Sequence, residues 1–328
     1  MEDEESAGWC TLESDPGLFT GLVADLGVRD VEVNEVVTLG DDVEEWLQLS
    51  RPIYGLIFLF KHDARLAQPS RPPLAPDATP PGLFFARQTI HNACATQALL
   101  AVLLNCREAA EFRIAVGERL RRFWEFAAEL DIESRGFAIG NDEHIRAVHN
   151  AFAPEKGFAL EQTEARRRRA RREDAFHYIS YVPYGGHVYE LDGLSGGPVD
   201  LGPSAAADTD TPCRLEPWLE VALQAIRQRI GRADGSEMRF SLQVVSRDPV
   251  PELQRRAQAG DTAAQQQLAP HLSKRERWER ENALRRANLV PLGVRLLVAL
   301  ADAGAIEPLV ARARERERQR IEHARRKP

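Results

Sequence analysis

Three kinds of hydrophobic patterning follow one another along the chain. Arg51–His62 (RPIYGLIFLFKH) is an almost unbroken β-branched and aromatic run, bounded by Pro52 and a charged exit. It predicts a buried strand. Ala67–Pro81 carries six prolines and predicts an extended surface loop. Ala93–Leu104 is predominantly apolar at every turn, so it predicts a helix buried all round rather than an amphipathic one. Ala110–Leu130 has the spacing of an amphipathic helix, and Asn141 stands where an N-cap would begin the helix of DEHIRAVHNAF.

Ala153–Asp174 has no clean period and reads as a long loop. AFHYISYVPYGGHVYELDGL alternates on both sides of Pro-Tyr-Gly-Gly and predicts a β-hairpin. EPWLEVALQAIRQRIG predicts an amphipathic helix closed by Gly231, and MRFSLQVVS another strand. From Pro249 onward every signal is helical, in PELQRRAQAG, SKRERWERENALRRANL, PLGVRLLVALADAG and a long charged helix to the end. Strands mixed with helices, then helices alone, predict two domains, 8–246 and 247–328.

Charge sharpens this division. Residues 1–50 hold fourteen Asp and Glu against the single Arg29, while residues 311–328 hold eight Lys and Arg against three Glu. The acidic head suits a basic ligand and the basic tail an acidic partner, although a solvated charged face would read the same way. Six arginines crowd Arg166–Arg172, inside the long loop, where a solvated charge block is the favoured reading. The N-terminus MEDEESAGWC is acidic, unlike a secretory signal, and the longest apolar stretch, Leu292–Leu309, is broken by Arg295, Asp302 and Glu307. Cys10, Cys94, Cys106 and Cys213 lie far apart without a Cys-x-x-Cys pair. That argues against a zinc site and a disulfide framework, and for a reduced cytosolic or nuclear setting.

One cysteine stands apart. With Asn92 as N-cap, Cys94 would fall at the second position of the apolar helix. Unpaired backbone N–H groups and the positive end of the helix dipole stabilise a thiolate there, and a neighbouring imidazolium lowers its pKa further. Position alone leaves two readings open, a nucleophile or a small buried hydrophobe. Cys106 fits the second, and Cys10 and Cys213 have no helix-start context.

A thiol nucleophile needs a base and a group to orient it. His177 and Asp192 flank the hairpin turn. An even loop puts them on one face: directly opposed with the loop at Tyr184–Gly185 or Pro183–Gly186, diagonal with it at Gly185–Gly186. An opposed carboxylate would accept from Nδ1–H and leave Nε2 to face the thiol. His91 precedes Cys94 by three residues but has no nearby carboxylate in sequence. His62, His144, His149, His271 and His323 have no paired acid on a strand, and His187 lies at the turn. Gln88, six residues before Cys94, could supply an oxyanion donor beside the Cys94 backbone N–H. An isolated glutamine is more often a solvated side chain. The order Gln, Cys, His, Asp with a helix-start cysteine is papain-like.

WCTLESDPGLFTGLV, YGLIFLFK, FFARQTIHNACATQALLAVLLNC, FHYISYVPYGGHVYELDGL and RFSLQVVS together resemble the ubiquitin C-terminal hydrolases, a family of cysteine deubiquitinases, across about residues 8–246. The segment from Asn288 to Pro328 is similar to the C-terminal extension of the family's proteasome-associated member. The resemblance implies an α/β (α+β) fold, with a central, mostly antiparallel sheet flanked by helices, plus an all-helical C-terminal extension. It implies Cys94 as nucleophile, His177 as general base, Asp192 as its orienter and Gln88 as oxyanion donor, with no metal or cofactor. It implies cleavage after the C-terminal glycine of ubiquitin, with Ala153–Asp174 crossing the active site. It also implies ubiquitin conjugates and a proteasomal ubiquitin receptor as partners, in cytoplasm and nucleus, without membrane or direct nucleic-acid binding. A chromatin-associated relative and a non-catalytic ubiquitin-binding adaptor remain as alternatives. His91 departs from the asparagine expected at its position.

Overall fold

The computed structural model describes residues 8–36, 43, 47, 51–61, 66–106, 114–153, 176–204, 216–232 and 240–325. Helix α1 spans Pro16–Asp25, and strands β1 and β2 span Val31–Val36 and Ile53–Lys61. A 3₁₀ turn, His91–Ala93, leads into α2, Cys94–Cys106. Helices α3 (Gly117–Ala128), α4 (Ile132–Asn141) and α5 (Glu143–Asn150) follow. Next come β3 (Phe176–Tyr184), β4 (His187–Leu191), β5 (Val199–Pro203), α6 (Pro217–Ile230) and β6 (Phe240–Arg247). The described chain ends in α7 (Val250–Gln258), α8 (Thr262–Arg286), α9 (Val290–Asp302) and α10 (Ile306–Arg325).

The six strands form one sheet in the order β1-β6-β2-β3-β4-β5, antiparallel at every pairing. β2 lies between β6 and β3 and is buried on both faces, which is why its sequence is apolar from Ile53 to Phe60 instead of alternating. β3 shows the alternation. Tyr178 and Val182 enter the core shared with α1 and α2, and Ile179 and Tyr181 the core shared with α6. α2 is buried along its length, with Leu99, Leu100, Leu103 and Leu104 at the centre of the first core. Truncating any one to alanine costs about 2–5 kcal/mol.

Several sequence expectations shift in the structure. The amphipathic helix predicted over Ala110–Leu130 begins only at Gly117; before it, Ala115 is bridged to Arg29, and residues 107–113 lie outside the described residues. Asn141 ends α4, and the N-cap of α5 is Asp142, whose carboxylate accepts from Ile145 N–H at 2.9 Å. An aspartate of the same length one residue later caps the helix instead, taking one of its orphan donors. Helix α8 starts eleven residues before Ser273, where the pattern predicted a start, and runs through Pro270. The loop Ala153–Asp174 and its arginine run fall, except for Ala153, outside the described residues.

The chain divides into two compact units, one of which carries the sheet and continues to Arg285, while the other holds the residues from Arg286 on. The sequence-drawn boundary at 246/247 does not coincide with this division. Within the first unit α8 is tied to α1 and β1: Lys274 pairs with the buried Glu32 at 2.7 Å, Asn282 donates to the Gly17 carbonyl at 2.8 Å, and Trp278 lies where a Cβ on Gly17 would be. In the second unit α9 exposes Leu292, Leu296 and Val298.

Candidate active site

Two separate pieces of chain build the site, each held differently. The first runs from Phe84 to Cys94. Cys94 is the first residue of α2, with helical φ −52° and ψ −43°. Asn92 does not cap the helix. Its amide donates to the Trp9 carbonyl at 2.9 Å, and the 3₁₀ turn supplies the helical lead-in instead. The Cys94 sulfur is approached by its own backbone N–H and that of Ala95, and both favour the thiolate. Burial outweighs them and pushes the Cys94 thiol up to about 11. The predicted lowering at a helix start is therefore reversed in this conformation, because desolvation penalises the charged form more than two dipoles reward it.

The second piece is the β3–β4 hairpin. Tyr184 pairs with His187 across Gly185 and Gly186, whose φ values of 56° and 80° suit a two-residue type I′ turn. This is the diagonal arrangement among the registers open from sequence. His177 and Asp192 are both buried, and Asp192 Oδ1 lies 2.8 Å from His177 Nε2. The carboxylate thus engages Nε2, not Nδ1 as predicted. In the neutral ring Nε2 then carries the proton and Nδ1 is the basic nitrogen. Asp192 is itself held by its own turn, accepting from Leu194 N–H at 2.8 Å, and the His177 ring sits edge-on to Phe60 at 5.5 Å.

The residue after Asp192 joins the pieces. Gly193 accepts from the Gln88 N–H at 2.7 Å. A narrow pocket is lined by Gln88, Cys94, Gln97, Tyr178, Leu191 and Gly193, among others; its open volume of about 10 Å³ holds roughly one water-sized group. So Gln88 and Cys94 share a cavity, His177 and Asp192 share a hydrogen bond, and Gly193 links the two. Tyr178, beside His177 on β3, keeps its phenol protonated through burial and the nearby Cys94.

The other histidines separate clearly. His187, expected only as a turn residue, in fact pairs with Asp200 of β5 at 2.9 Å. It stands at the far end of β4, about 13 Å from the Asp192 end by strand rise. His149 is fully buried under Trp9, with Nε2 at 2.6 Å from the Cys10 carbonyl and Nδ1 at 2.7 Å from the Thr96 hydroxyl. A carbonyl only accepts, so Nε2 carries the proton and Nδ1 accepts from Thr96. Burial lowers the His149 pKa to about 4. Among the described residues no group of three or more His, Cys, Asp or Glu could hold a metal ion, and no helix is long and apolar enough to cross a membrane. Cys10 and Cys106 are free thiols, the latter donating to the Tyr54 carbonyl at 2.9 Å; Cys213 is outside the described residues.

Sequence reasoning missed Gln97, Asn105 and Gly193. A signal existed: glutamine and asparagine inside a helix buried all round must find partners, so each marks a built contact.

A helix-start thiol, a buried histidine–carboxylate pair and a pocket-lining amide are the equipment of a thiol hydrolase. The comparisons with known proteins agree. The model of ubiquitin carboxyl-terminal hydrolase, family 1, matches residues 9–230, and a second model, described as ubiquitin carboxyl-terminal hydrolases, matches residues 262–305. Ubiquitin carboxyl-terminal hydrolase 2 of Schizosaccharomyces pombe is 40% identical, over 88% of this chain and 89% of its own. Ubiquitin carboxyl-terminal hydrolase isozyme L5 of Dictyostelium discoideum is 32% identical, over 95% of this chain and 96% of its own. The crystal structure of Trichinella spiralis UCH37 bound to ubiquitin vinyl methyl ester has a TM-score of 0.63 and 36% identity, covering 83% of this chain and 99% of that one. The chain belongs to the ubiquitin carboxyl-terminal hydrolases, family 1, which are cysteine-type hydrolases.

Proposed function

We propose that Cys94, His177, Asp192 and Gln88 carry out hydrolysis of the bond after the C-terminal glycine of ubiquitin. The buried His177–Asp192 pair, joined through Gly193 to the pocket of Cys94 and Gln88, is the observation that carries the assignment. His177 Nδ1 takes the Cys94 proton as the sulfur attacks the glycine carbonyl. Asp192 keeps the proton on Nε2 and stabilises the imidazolium that forms. The carbonyl oxygen, now an anion, accepts from the Gln88 amide and the Cys94 N–H. The imidazolium protonates the departing amine, leaving a thioester. Water, deprotonated by His177, then releases ubiquitin and the free thiol.

The acidic N-terminal region complements the basic tail of ubiquitin. The helical extension, with its exposed α9 leucines and the net +5 of residues 311–328, serves as the contact for a proteasomal ubiquitin receptor in cytoplasm and nucleus. A chromatin-associated deubiquitinase of the same family is the competing reading.

Two experiments test the proposal. A ubiquitin probe bearing an electrophile at its C-terminus labels the wild type at Cys94 and leaves Cys94→Ser unlabelled. No labelling of the wild type, alone or with proteasome, would overturn the enzyme assignment. Deleting residues 311–328 abolishes capture of proteasomes; loss of chromatin partners alone would favour the competing role.

A further inference from the structure

Phe84–Gln88 belongs to no strand of the sheet, so its backbone groups need other partners. Side chains of α2 and α4 supply most of them, and the Ile132 carbonyl at the start of α4 accepts from Arg87 N–H at 2.8 Å. Asn105 accepts from Phe84 N–H at 2.8 Å and donates to the Phe84 carbonyl at 2.9 Å. Arg135 donates to the Phe85 carbonyl at 3.3 Å. Gln97, buried on α2, donates through Nε2 to the Ala86 carbonyl at 2.6 Å. Two residues further on, Gln88 N–H reaches the Gly193 carbonyl at 2.7 Å. The fit is tight. A Cβ on Gly193 would stand 2.6 Å from Gln97 Nε2 and 3.0 Å from Gln88 Cβ.

We propose that Gln97 is a positioning residue for the reaction: it fixes Ala86, and through it the amide of Gln88, at a set distance from Cys94. Cys94 and Gln97 are one helical turn apart, separated by about 4.5 Å of rise. One rigid helix therefore carries the nucleophile and also sets the place of the oxyanion donor, while the bare backbone of Gly193 lets the Asp192 turn close against both. Gln97 also lines the pocket, but its amide is spent on Ala86. The inference rests on the assignment of Gln88 as the oxyanion donor.

An oxyanion forms when the Cys94 sulfur adds to a carbonyl. It does not form when chloroacetamide is displaced at carbon, where the S–C bond forms as chloride leaves. The two reactions therefore separate a positioning role from damage to the thiol. Gln97→Met keeps volume and removes the donor. Hydrolysis of ubiquitin carrying a small C-terminal leaving group should then lose about tenfold in kcat, with KM changed by less than about twofold. The rate of Cys94 alkylation by chloroacetamide should stay at the wild-type value. In the Gln88→Ala background, itself down on the order of 10²-fold, Gln97→Met should add no further loss. Gly193→Ala presses on the same amide from the other side and should show the same signature. It serves as the test if Gln97→Met fails to fold. Wild-type kcat in both variants, losses that multiply with that of Gln88→Ala, or alkylation that falls in parallel with hydrolysis would each overturn the inference. Wild-type hydrolysis by Gln88→Ala would instead remove the oxyanion assignment beneath it.

Discussion

The two halves of the site are held in opposite ways. His177 and Asp192 ride on a hairpin whose register is a ladder of main-chain bonds closed by a Gly-Gly turn. Gln88 rides on an extended segment outside the sheet, held by side chains from α2 and α4 and by two isolated carbonyls, Ile132 on Arg87 N–H and Gly193 on Gln88 N–H. The first half is placed by rules that operate along the chain. The second depends on single side chains far away in sequence, so a point substitution can move it. The difference separates what chemistry should lose from what folding should lose.

The largest contrast is in rate. Asp192→Asn keeps the shape of the hairpin but lets the amide favour the wrong tautomer of His177. The loss in kcat is on the order of 10³–10⁴-fold, with the melting temperature little changed. Stopped assays with a ubiquitin substrate check this, and a loss below tenfold would mean that the buried pair is structural.

The next contrast is in stability. Asn105→Ala leaves both backbone groups of Phe84 buried without their side-chain partner, and unfolding in urea should show a loss of roughly 3 kcal/mol. Ser180→Ala on the hairpin should cost about 1 kcal/mol at most. Its hydroxyl donates to the Ala98 carbonyl at 2.8 Å, but that carbonyl also lies in the hydrogen-bonding ladder of α2. Equal losses would erase the proposed difference between the halves.

The last contrast is in pH. His149 holds the start of α2 through Thr96 and the N-terminal segment through Cys10. Its folded pKa of about 4 lies below the ordinary 6.5, so the unfolded chain takes up the proton first as pH falls. This contribution to stability is whole above pH 6.5 and is lost progressively down to about pH 4, by up to roughly 3 kcal/mol. His149→Gln should flatten the stability of the protein across that window. An unchanged slope would show that carboxylates elsewhere dominate it.

Much of the architecture was legible before any coordinates. The apolar run of β2, the fully buried α2, the hairpin and α6 each carry a local signature, and the structure shows them within a few residues of their predicted bounds. The parity argument for His177 and Asp192 needed only a turn of even length, and Gly185–Gly186 provides it. Helices α1 and α4 and strands β1 and β5 went unread, and for α1 and β1 the signals are plain. Asp15-Pro16 is an N-cap followed by a first-turn proline for α1, and Val31 and Val33 alternate with polar residues in β1. The ring nitrogen of His177 that meets Asp192 was misread, because it depends on how the imidazole lies against Phe60. Asn92 was misread as a cap because an asparagine before a helix has that form, while its amide is drawn to the Trp9 carbonyl, a partner 83 positions away.

The periodic elements, the residue types available for chemistry and the face of the hairpin that holds them all follow from spacing along one chain. How Cys94 is solvated and where Gln88 stands follow from packing. The thiol pKa is a balance between burial and local dipoles, and burial is set by everything packed around α2. The Gln88 segment has no ladder of its own, so its place is fixed by Gln97, Asn105, Ile132, Arg135 and Gly193, contacts that exist only once the helices, the extended segment and the hairpin have closed on one another.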